Sequence, residues 1–337
     1  MIKFVVFLIF ILALVGSDFW LHDKLSNFPN YFGWRELAKT ANAEYRELGV
    51  DVKDFESGYS YNGPYMDYGN GRYFKESKGR IRLDKSGIPE VRYGEEFHYN
   101  PVTTAQFALA EYSRPGGVSS KFLDIVDSLV SRQDANGAFR YNFVFRKYAH
   151  EEDYEPGWTS AMAQGQALSA LARAYALTED EKYLESGELA FNYLTTPFDE
   201  GGVKTDLGEL RSSWSGDVFF MEYPADPPVY TLNGYMFVII GLYDWNEAIG
   251  RSDATRRVLE DSLLSFRKIL GFYDLGAFSS YDLSFMTLPF KKSGEKRSPH
   301  YSPYYHAVHI EQLNLLYDIF GEQYMRETAE RWAEYVR

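Results

Sequence analysis

Three short segments in the second half of the chain combine side chains that move protons. They are Glu222-Tyr223-Pro224, Tyr281-Asp282-Leu283, and Tyr305-His306 followed by His309. Tyrosines set beside a carboxylate suit abstraction of a proton from a carbon acid, where one group acts as base and another holds or returns a proton. No cysteine exists to act as nucleophile or to form a disulfide, and no phosphate-binding loop competes for the site. Each residue also has a plainer reading. Glu222 could cap a helix beginning near Pro228. A single tyrosine in so aromatic a chain is more often packing than chemistry. His306 and His309, one helical turn apart, have the spacing of metal ligands but lack a third, so no metal is expected. Trp158 reads equally as a sugar platform or as core. Asn233, at the start of an apolar helix, reads as a substrate contact, because burial would otherwise strand its amide.

Composition narrows the field. The chain has 337 residues, 18% of them aromatic, with 28 Tyr and 25 Phe. Tyr in excess of Phe fits sugar clefts, which need apolar rings with a polar tip. A net charge of −13 excludes nucleic acid as the expected partner. Lys291, Lys292, Lys296 and Arg297 form one basic cluster, either a solvated loop or a local patch for an anion. Near the N-terminus, Lys3 precedes an apolar run from Phe4 to Val15, ended by Gly16-Ser17-Asp18. That run suits a signal h-region, and Phe19 to Leu21 could extend it into a membrane anchor. The expectation is export, secreted or anchored, with residues 1–17 as signal peptide or anchor.

The elements that must position the site follow. Residues 18–96 read as a helical stretch around Trp34 to Leu48 and then a glycine- and tyrosine-rich arm. Within the arm, Arg80 to Leu83 and Glu90 to Tyr93 alternate polar and apolar residues around Asp84-Lys-Ser-Gly87, which predicts a β-hairpin. From about residue 97 to the end the period is helical. Phe122, Ile125, Val126 and Leu129 recur at helix spacing, and Val229 to Trp245 is apolar nearly all round. Thr178-x-x-Glu181 predicts a capping box. Helices come in pairs, and the joins repeat as Gly137-Ala-Phe139, Gly201-Gly-Val203 and Gly276-Ala-Phe278. Repeated helical hairpins bury their faces on one another. The prediction is a mainly α protein, an (α/α) toroid of about four helix pairs with a small N-terminal β-hairpin-rich arm. The candidate site residues lie just past the glycine joins, which gathers them at one mouth of the ring.

Gly157-Trp-Thr-Ser-Ala-Met-Ala-Gln-Gly-Gln166, Glu222-Tyr-Pro224, Leu232-Asn-Gly-Tyr235, Gly241-Leu-Tyr-Asp244, Tyr281-Asp-Leu283 and Tyr305-His306-x-x-His309-Ile-x-Gln-Leu313 together resemble the D-glucuronyl C5-epimerases. Ala105-Gln-Phe-Ala-Leu-Ala-Glu-Tyr-Ser-Arg114 resembles an earlier helix of that family, so the match runs in order over roughly residues 97–335. The resemblance implies a toroid enzyme that inverts C5 of D-glucuronate to L-iduronate within a polysaccharide. It further implies that the enzyme is often dimeric and needs no redox cofactor. By motif it implies Glu222, Tyr223, Tyr281 and Tyr305 as catalytic, with Asn233, His306, His309, Trp158 and Arg297 as expected substrate contacts.

The chemistry agrees. Inversion needs a proton removed from one face of the ring and one returned to the other, with Glu222 and Tyr305 as the opposed pair and Tyr223 and Tyr281 as donors or relays. A tyrosine base needs its pKa brought down from about 10, and a proton on His306 or His309, or another cation, is the expected source. Two departures stand out. Animal members carry a large β-rich domain that is much shorter here, so the Tyr59–Tyr68 arm or a partner subunit is expected to complete the cleft. They also carry arginine after Tyr-Asp-Leu, where this chain has Ser284, so Lys291, Arg297 or His306 is expected to supply the cation. Rival readings are a polysaccharide lyase using the same proton, a glycoside hydrolase using Glu222 and Asp282, and a non-catalytic envelope glycan-binding protein.

Overall fold

The chain changes layer at the glycine joins. Gly137, Gly201 and Gly276 all take positive φ, at 91°, 87° and 79°, which costs glycine nothing for want of a Cβ. Each join is clamped by an isolated bridge, Gln133 to Phe139, Pro197 to Lys204 and Asp274 to Ser279. A computed structural model describes residues 58–66, 79–147 and 149–336. The apolar run Phe4 to Val15, the stretch Trp34 to Leu48 and the second half of the tyrosine-rich arm lie outside the described residues. Residues 50–335 fall in one unit. Among the described residues no helix is long and apolar enough to cross a membrane.

Four helical hairpins make up most of that unit. They are α1 (Pro101–Tyr112) with α2 (Lys121–Arg132), α3 (Ala161–Thr178) with α4 (Glu181–Thr195), α5 (Leu232–Ala248) with α6 (Asp253–Ile269), and α8 (Pro303–Phe320) with α9 (Gln323–Glu334). A single turn, α7 (Ser284–Thr287), precedes the last pair. The first members pack on one another in the order α1, α3, α5, α8, and each keeps its partner behind it. This is the expected mainly α, (α/α) toroid. The sequence explains the layering. Nearly every residue of α3 and α5 is buried, whereas α2, α6 and α9 bury one stripe and expose charge.

Close approach of α3 to α5 is set by two glycines. A Cβ on Gly165 would lie 2.7 Å from the Val238 Cα, and one on Gly241 only 2.0 Å from the Gly165 carbonyl oxygen. The β-rich arm adds a three-stranded antiparallel sheet, β1 (Ile81–Leu83), β2 (Pro89–Tyr93) and β3 (Glu96–Tyr99), with Ile81 opposite Val91 and Val91 opposite His98. The hairpin was legible, whereas β3 was not. β2 rests on α1. Two further small ribbons, β4 (Phe145–Lys147) with β5 (Glu152–Tyr154) and β6 (Lys204–Asp206) with β7 (Val218–Phe220), follow the first two glycine joins.

Two local expectations are corrected. Helix α4 starts without the Thr178 to Glu181 box. Asp180 is its N-cap and accepts from Lys182 N–H at 3.0 Å, while the Thr178 hydroxyl bonds back to the Ala174 carbonyl at 2.7 Å. Thr178 is the last residue of α3, so its hydroxyl is taken by the turn before it. Helix α5 begins at Leu232 with Thr231 as N-cap, not near Pro228.

The tyrosine-rich arm is also placed differently from expectation. Its described part, residues 58–66, binds the C-terminal ends of the inner helices. Gly58 and Tyr59 N–H both donate to Asp318 Oδ2 of α8 at 2.8 Å. Tyr59 OH donates to Asp244 of α5 at 2.8 Å, and Tyr65 N–H donates to Ser113 Oγ, just past α1, at 2.7 Å. Arg173 of α3, fully buried, donates to Asp244 at 2.8 Å and to the carbonyls of Gly63 and Ser60. This strap crosses the far end of the helices, so its described part does not complete the cleft.

Candidate active site

The N-terminal ends of the same helices surround a cavity of about 240 Å³. Val102 and Gln106 come from α1, Met162 from α3, Asn233 and Phe237 from α5, and Tyr304, Tyr305 and Val308 from α8. Tyr93 of β2, the N-cap residues Asn100 and Ser160 of α1 and α3, and the loops after the glycine joins, carrying Tyr141, Phe145, Trp158, Glu222 and Tyr223, form the rest of its lining.

Glu222 follows β7 and is 93% buried, with 7% of its surface exposed. Tyr281 OH donates to its Oε1 at 3.3 Å, and Tyr223 OH stands 3.4 Å from Tyr281 OH. The rings of Tyr281 and Tyr305 are 4.5 Å apart. Tyr281 is therefore the hub that brings the four expected catalytic residues together. Glu222 Oε2 has no hydrogen-bond partner. It lies against the first turn of α5, where a Cβ on Gly234 would meet it at 2.3 Å. Glycine at 234 is what admits the carboxylate, and a helix cap is not its role. Burial raises the Glu222 pKa from 4.5 to about 7, against the downward pull of the neighbouring Tyr223 and Tyr281 hydroxyls.

Burial also holds the Tyr281, Tyr223 and Tyr305 hydroxyls above their ordinary range, and the Glu222 charge pushes all three further up. The expected lowering by a histidine proton is not found. His306 and His309 are fully buried but line no part of the cavity. Both ring Nδ1 atoms lie 2.8 Å from the Ser279 hydroxyl, and His306 Nδ1 also accepts from Ser279 N–H. His306 Nε2 donates to the Trp332 carbonyl at 3.0 Å. Burial lowers the pKa of His306 to about 4 and that of His309 well below 6.5, so both rings are neutral near pH 7. They fasten the Gly276 join to α8 and α9.

Arg297 is likewise elsewhere. Its guanidinium donates to the carbonyls of Leu288 at 3.0 Å and Ala149 at 2.6 Å, which ties two loops together. Lys291 pairs with Glu295 and Lys292 with Glu152, so the basic cluster is largely compensated by neighbouring acids. Ser284 is buried, and its N–H donates to Asp282 Oδ1 at 2.8 Å. None of the three expected replacement cations lines the cavity.

Asn233 and Trp158 do line it. Asn233 Oδ1 is buried without a hydrogen-bond partner, while its main-chain carbonyl accepts from Gln312 Nε2 at 3.0 Å. Trp158 stacks on Tyr141 at 3.8 Å and 9°, and Phe145 lies parallel to Trp158 at 5.2 Å and to Tyr223 at 6.1 Å. This wall of rings makes Trp158 both core and cavity lining. Tyr141 and Phe145 were missed in the sequence. Their signal was the period-two run of Phe139, Tyr141, Phe143 and Phe145 after the first glycine join, a strand-like alternation that presents aromatic rings on one side.

An arc of helical hairpins whose inner helices point their N-termini at a tyrosine- and carboxylate-lined cavity defines an (α/α) toroid. Residues 133–334 match the family model described as D-glucuronyl C5-epimerase C-terminus, and the chain belongs to that family. It is 32% identical over 231 residues to a D-glucuronyl C5-epimerase of Caenorhabditis elegans, covering 65% of this chain and 35% of that protein. It is 29% identical over 197 residues to an uncharacterized protein of Methanocaldococcus jannaschii, covering 58% of this chain and 57% of the relative. The chain thus spans between about a third and somewhat over half the length of these relatives. Among solved structures it is similar to cellobiose 2-epimerase from Spirochaeta thermophila, with a TM-score of 0.41 and 16% identity over 68% of this chain and 53% of that one.

Proposed function

We propose that the chain is an isomerase that inverts C5 of D-glucuronate to L-iduronate within a polysaccharide by two-base proton transfer. The observation that carries this reading is the Glu222 carboxylate, buried at the cavity with one oxygen unpartnered and three tyrosines around it. With a pKa of about 7 it is partly ionised at neutral pH, close to the optimum for a general base.

In this mechanism Glu222 takes the C5 proton, which is α to the sugar carboxylate, and the electron pair passes into an enediolate. Tyr305, kept protonated by its raised pKa, returns a proton to the opposite face. One turnover leaves Glu222 protonated and Tyr305 as phenolate. With a phenol at or above pKa 10 and a carboxyl near 7, that state lies about 4 kcal/mol or more uphill, so a proton passing through Tyr281 resets the pair. Tyr223 and Tyr281 donate to the developing charge, a role that commonly contributes more than the proton transfer itself. The ring wall of Trp158 and Phe145 offers an apolar surface for a sugar face.

The acidic chain favours an unsulfated glucuronate polymer of heparosan type over a sulfated one. Export, with residues 1–17 as signal or anchor, and a homodimer belong to the same proposal, and cell fractionation and light scattering would test them. The direct experiment is incubation with desulfated, N-acetylated heparosan in D₂O. Deuterium at C5 with iduronate signals and an intact chain supports the reading. An unsaturated uronate would mean a lyase, new reducing ends a hydrolase, and binding without exchange a glycan-binding protein. Tyr305→Phe should reduce exchange by about 10²- to 10⁴-fold. The wild-type rate should climb with pH through about 7 as Glu222 ionises.

A further inference from the structure

A uronate brings a second carboxylate to the side of Glu222, yet among the described residues the cavity lining holds no Lys, Arg or His. Two negative groups out of water repel strongly unless positive potential reaches them. Main-chain N–H groups at a helix N-terminus supply such potential without a charged side chain. Helices α1, α3, α5 and α8 all begin at this end of the ring, so their first turns decide where it is available.

Three of those starts are closed or set aside. Helix α1 is capped by its own Asn100, whose Oδ1 accepts from Thr103 N–H at 3.0 Å. The first turn of α5 faces Glu222, whose Oε2 would meet a Cβ on Gly234 at 2.3 Å. Helix α8 begins at half-buried Ser302, which lies outside the lining. Helix α3 is open. Its N-cap Ser160 lines the cavity and caps nothing, and its hydroxyl has no hydrogen-bond partner although the residue is only 2% exposed. Tyr141 OH stands near it without reaching hydrogen-bond geometry. In the same turn Ala161 N–H is taken by the Met221 carbonyl at 3.0 Å and Gln164 N–H by the Ser160 carbonyl at 3.2 Å. That leaves the N–H groups of Met162 and Ala163 to a ligand. A second element points at this turn. Asn233 of α5, also lining the cavity and 2% exposed, sets its Nδ2 3.9 Å from Met162 Sδ and keeps Oδ1 without a partner.

We propose that the first turn of α3 is the seat of the uronate carboxylate. Ser160 Oγ and the N–H groups of Met162 and Ala163 donate to it, and Asn233 Oδ1 accepts from a hydroxyl of the same sugar. The inference rests on the epimerase reading and deepens it, naming what selects a uronate over an uncharged sugar. The two carboxylates are thereby divided between neighbouring helices, Glu222 at α5 and the substrate at α3. As the C5 proton leaves, charge grows on the substrate carboxyl, so the same donors bind the enediolate more strongly than the ground state.

The test compares a glucuronate oligosaccharide with its methyl ester, measuring binding by tryptophan fluorescence and catalysis by C5 deuterium exchange. Wild type should bind the acid more tightly. Ser160→Ala removes one donor and should cost the acid about tenfold in affinity relative to the ester. Ser302→Ala, which removes an N-cap hydroxyl outside the lining, should leave the ratio as in wild type. In isotope-labelled wild type, the amide proton resonances of Met162 and Ala163 should move downfield with the acid and not with the ester. Equal loss of acid and ester in Ser160→Ala, an unchanged ratio, or amides that ignore the acid overturns the assignment. Its failure and that of the epimerase reading are separable. If the amides respond to the acid but wild type shows no exchange at C5, the epimerase reading fails and the carboxylate seat stands. If exchange proceeds while the ratio and the amides stay unmoved, the seat fails and the epimerase reading stands.

Discussion

The two ends of the inner helices are built on opposite principles. At their C-terminal ends the strap leaves its charges paired. Arg173 and Asp244, both fully buried, bond to each other, to Tyr59 and to strap carbonyls, and Asp318 accepts two strap N–H groups. Burial works against the Arg173 charge, but Asp244 and Tyr59 hold its proton more firmly than in a free guanidinium. At the N-terminal ends Glu222 Oε2, Asn233 Oδ1 and Ser160 Oγ are buried without hydrogen-bond partners. One end pairs its buried charges with each other, and the other leaves a buried carboxylate oxygen unpaired and open to a ligand. The difference locates function, because unpaired buried polar groups cost stability and persist where they have other work.

Substitutions at the two ends should therefore separate stability from activity. The largest effect is expected from Asp244→Ala, which strands the buried Arg173 charge and should cost about 3 to 5 kcal/mol in urea unfolding. The exchange rate per folded molecule should stay unchanged, and a changed KM would break the division between the ends.

Glu222→Gln should do the reverse. The folded carboxyl titrates near 7 and the unfolded one near 4.5, so the folded state holds the extra proton over that range. The penalty is absent below pH 4.5, grows as the pH rises, and reaches roughly 3 kcal/mol above pH 7. Glu222→Gln should thus gain up to about 3 kcal/mol at pH 8, gain nothing at pH 4, and lose exchange. Equal gains at both pH values would remove ionisation as the cause.

Asp318→Ala, which removes two strap contacts, should cost about 2 kcal/mol. Protection of the Gly58 and Tyr59 amides from hydrogen exchange should fall with it. The smallest effect belongs to Tyr59→Phe, at about 1 kcal/mol. Thermal unfolding would measure it, and a loss of exchange activity as large as that of Tyr305→Phe would link the two ends.

Much of this arrangement was legible before the fold was known. The three glycine joins, the unbroken burial of α5 and the Ile81–Tyr93 hairpin follow from local rules, since positive φ, all-round hydrophobicity and period-two alternation each have one ready structural answer. The gathering of Glu222, Tyr223, Tyr281 and Tyr305 was also foreseeable, because each segment follows a join and all the joins lie at one end. The histidines were misjudged for an equally physical reason. A pair one turn apart on a helix faces one side, but the sequence does not say whether that side meets the cavity or the outer layer. Tyr59 was misplaced because its partners, Asp244 and Asp318, lie 185 and 259 residues away. The Thr178 to Glu181 pattern failed because Asp180, one residue before the helix, was the better placed cap.

The sequence alone determined the residue types of the chemistry, the pairing of the helices and the family motifs, all of which are written in short spacings. Tertiary structure decided what each polar group faces. Glu222 became a base candidate because Gly234 lets it press against α5 with one oxygen unpartnered. His306 and His309 became fasteners because Ser279 binds both. Burial, partners and the resulting pKa are properties of surroundings assembled from distant segments, and no local spacing encodes them.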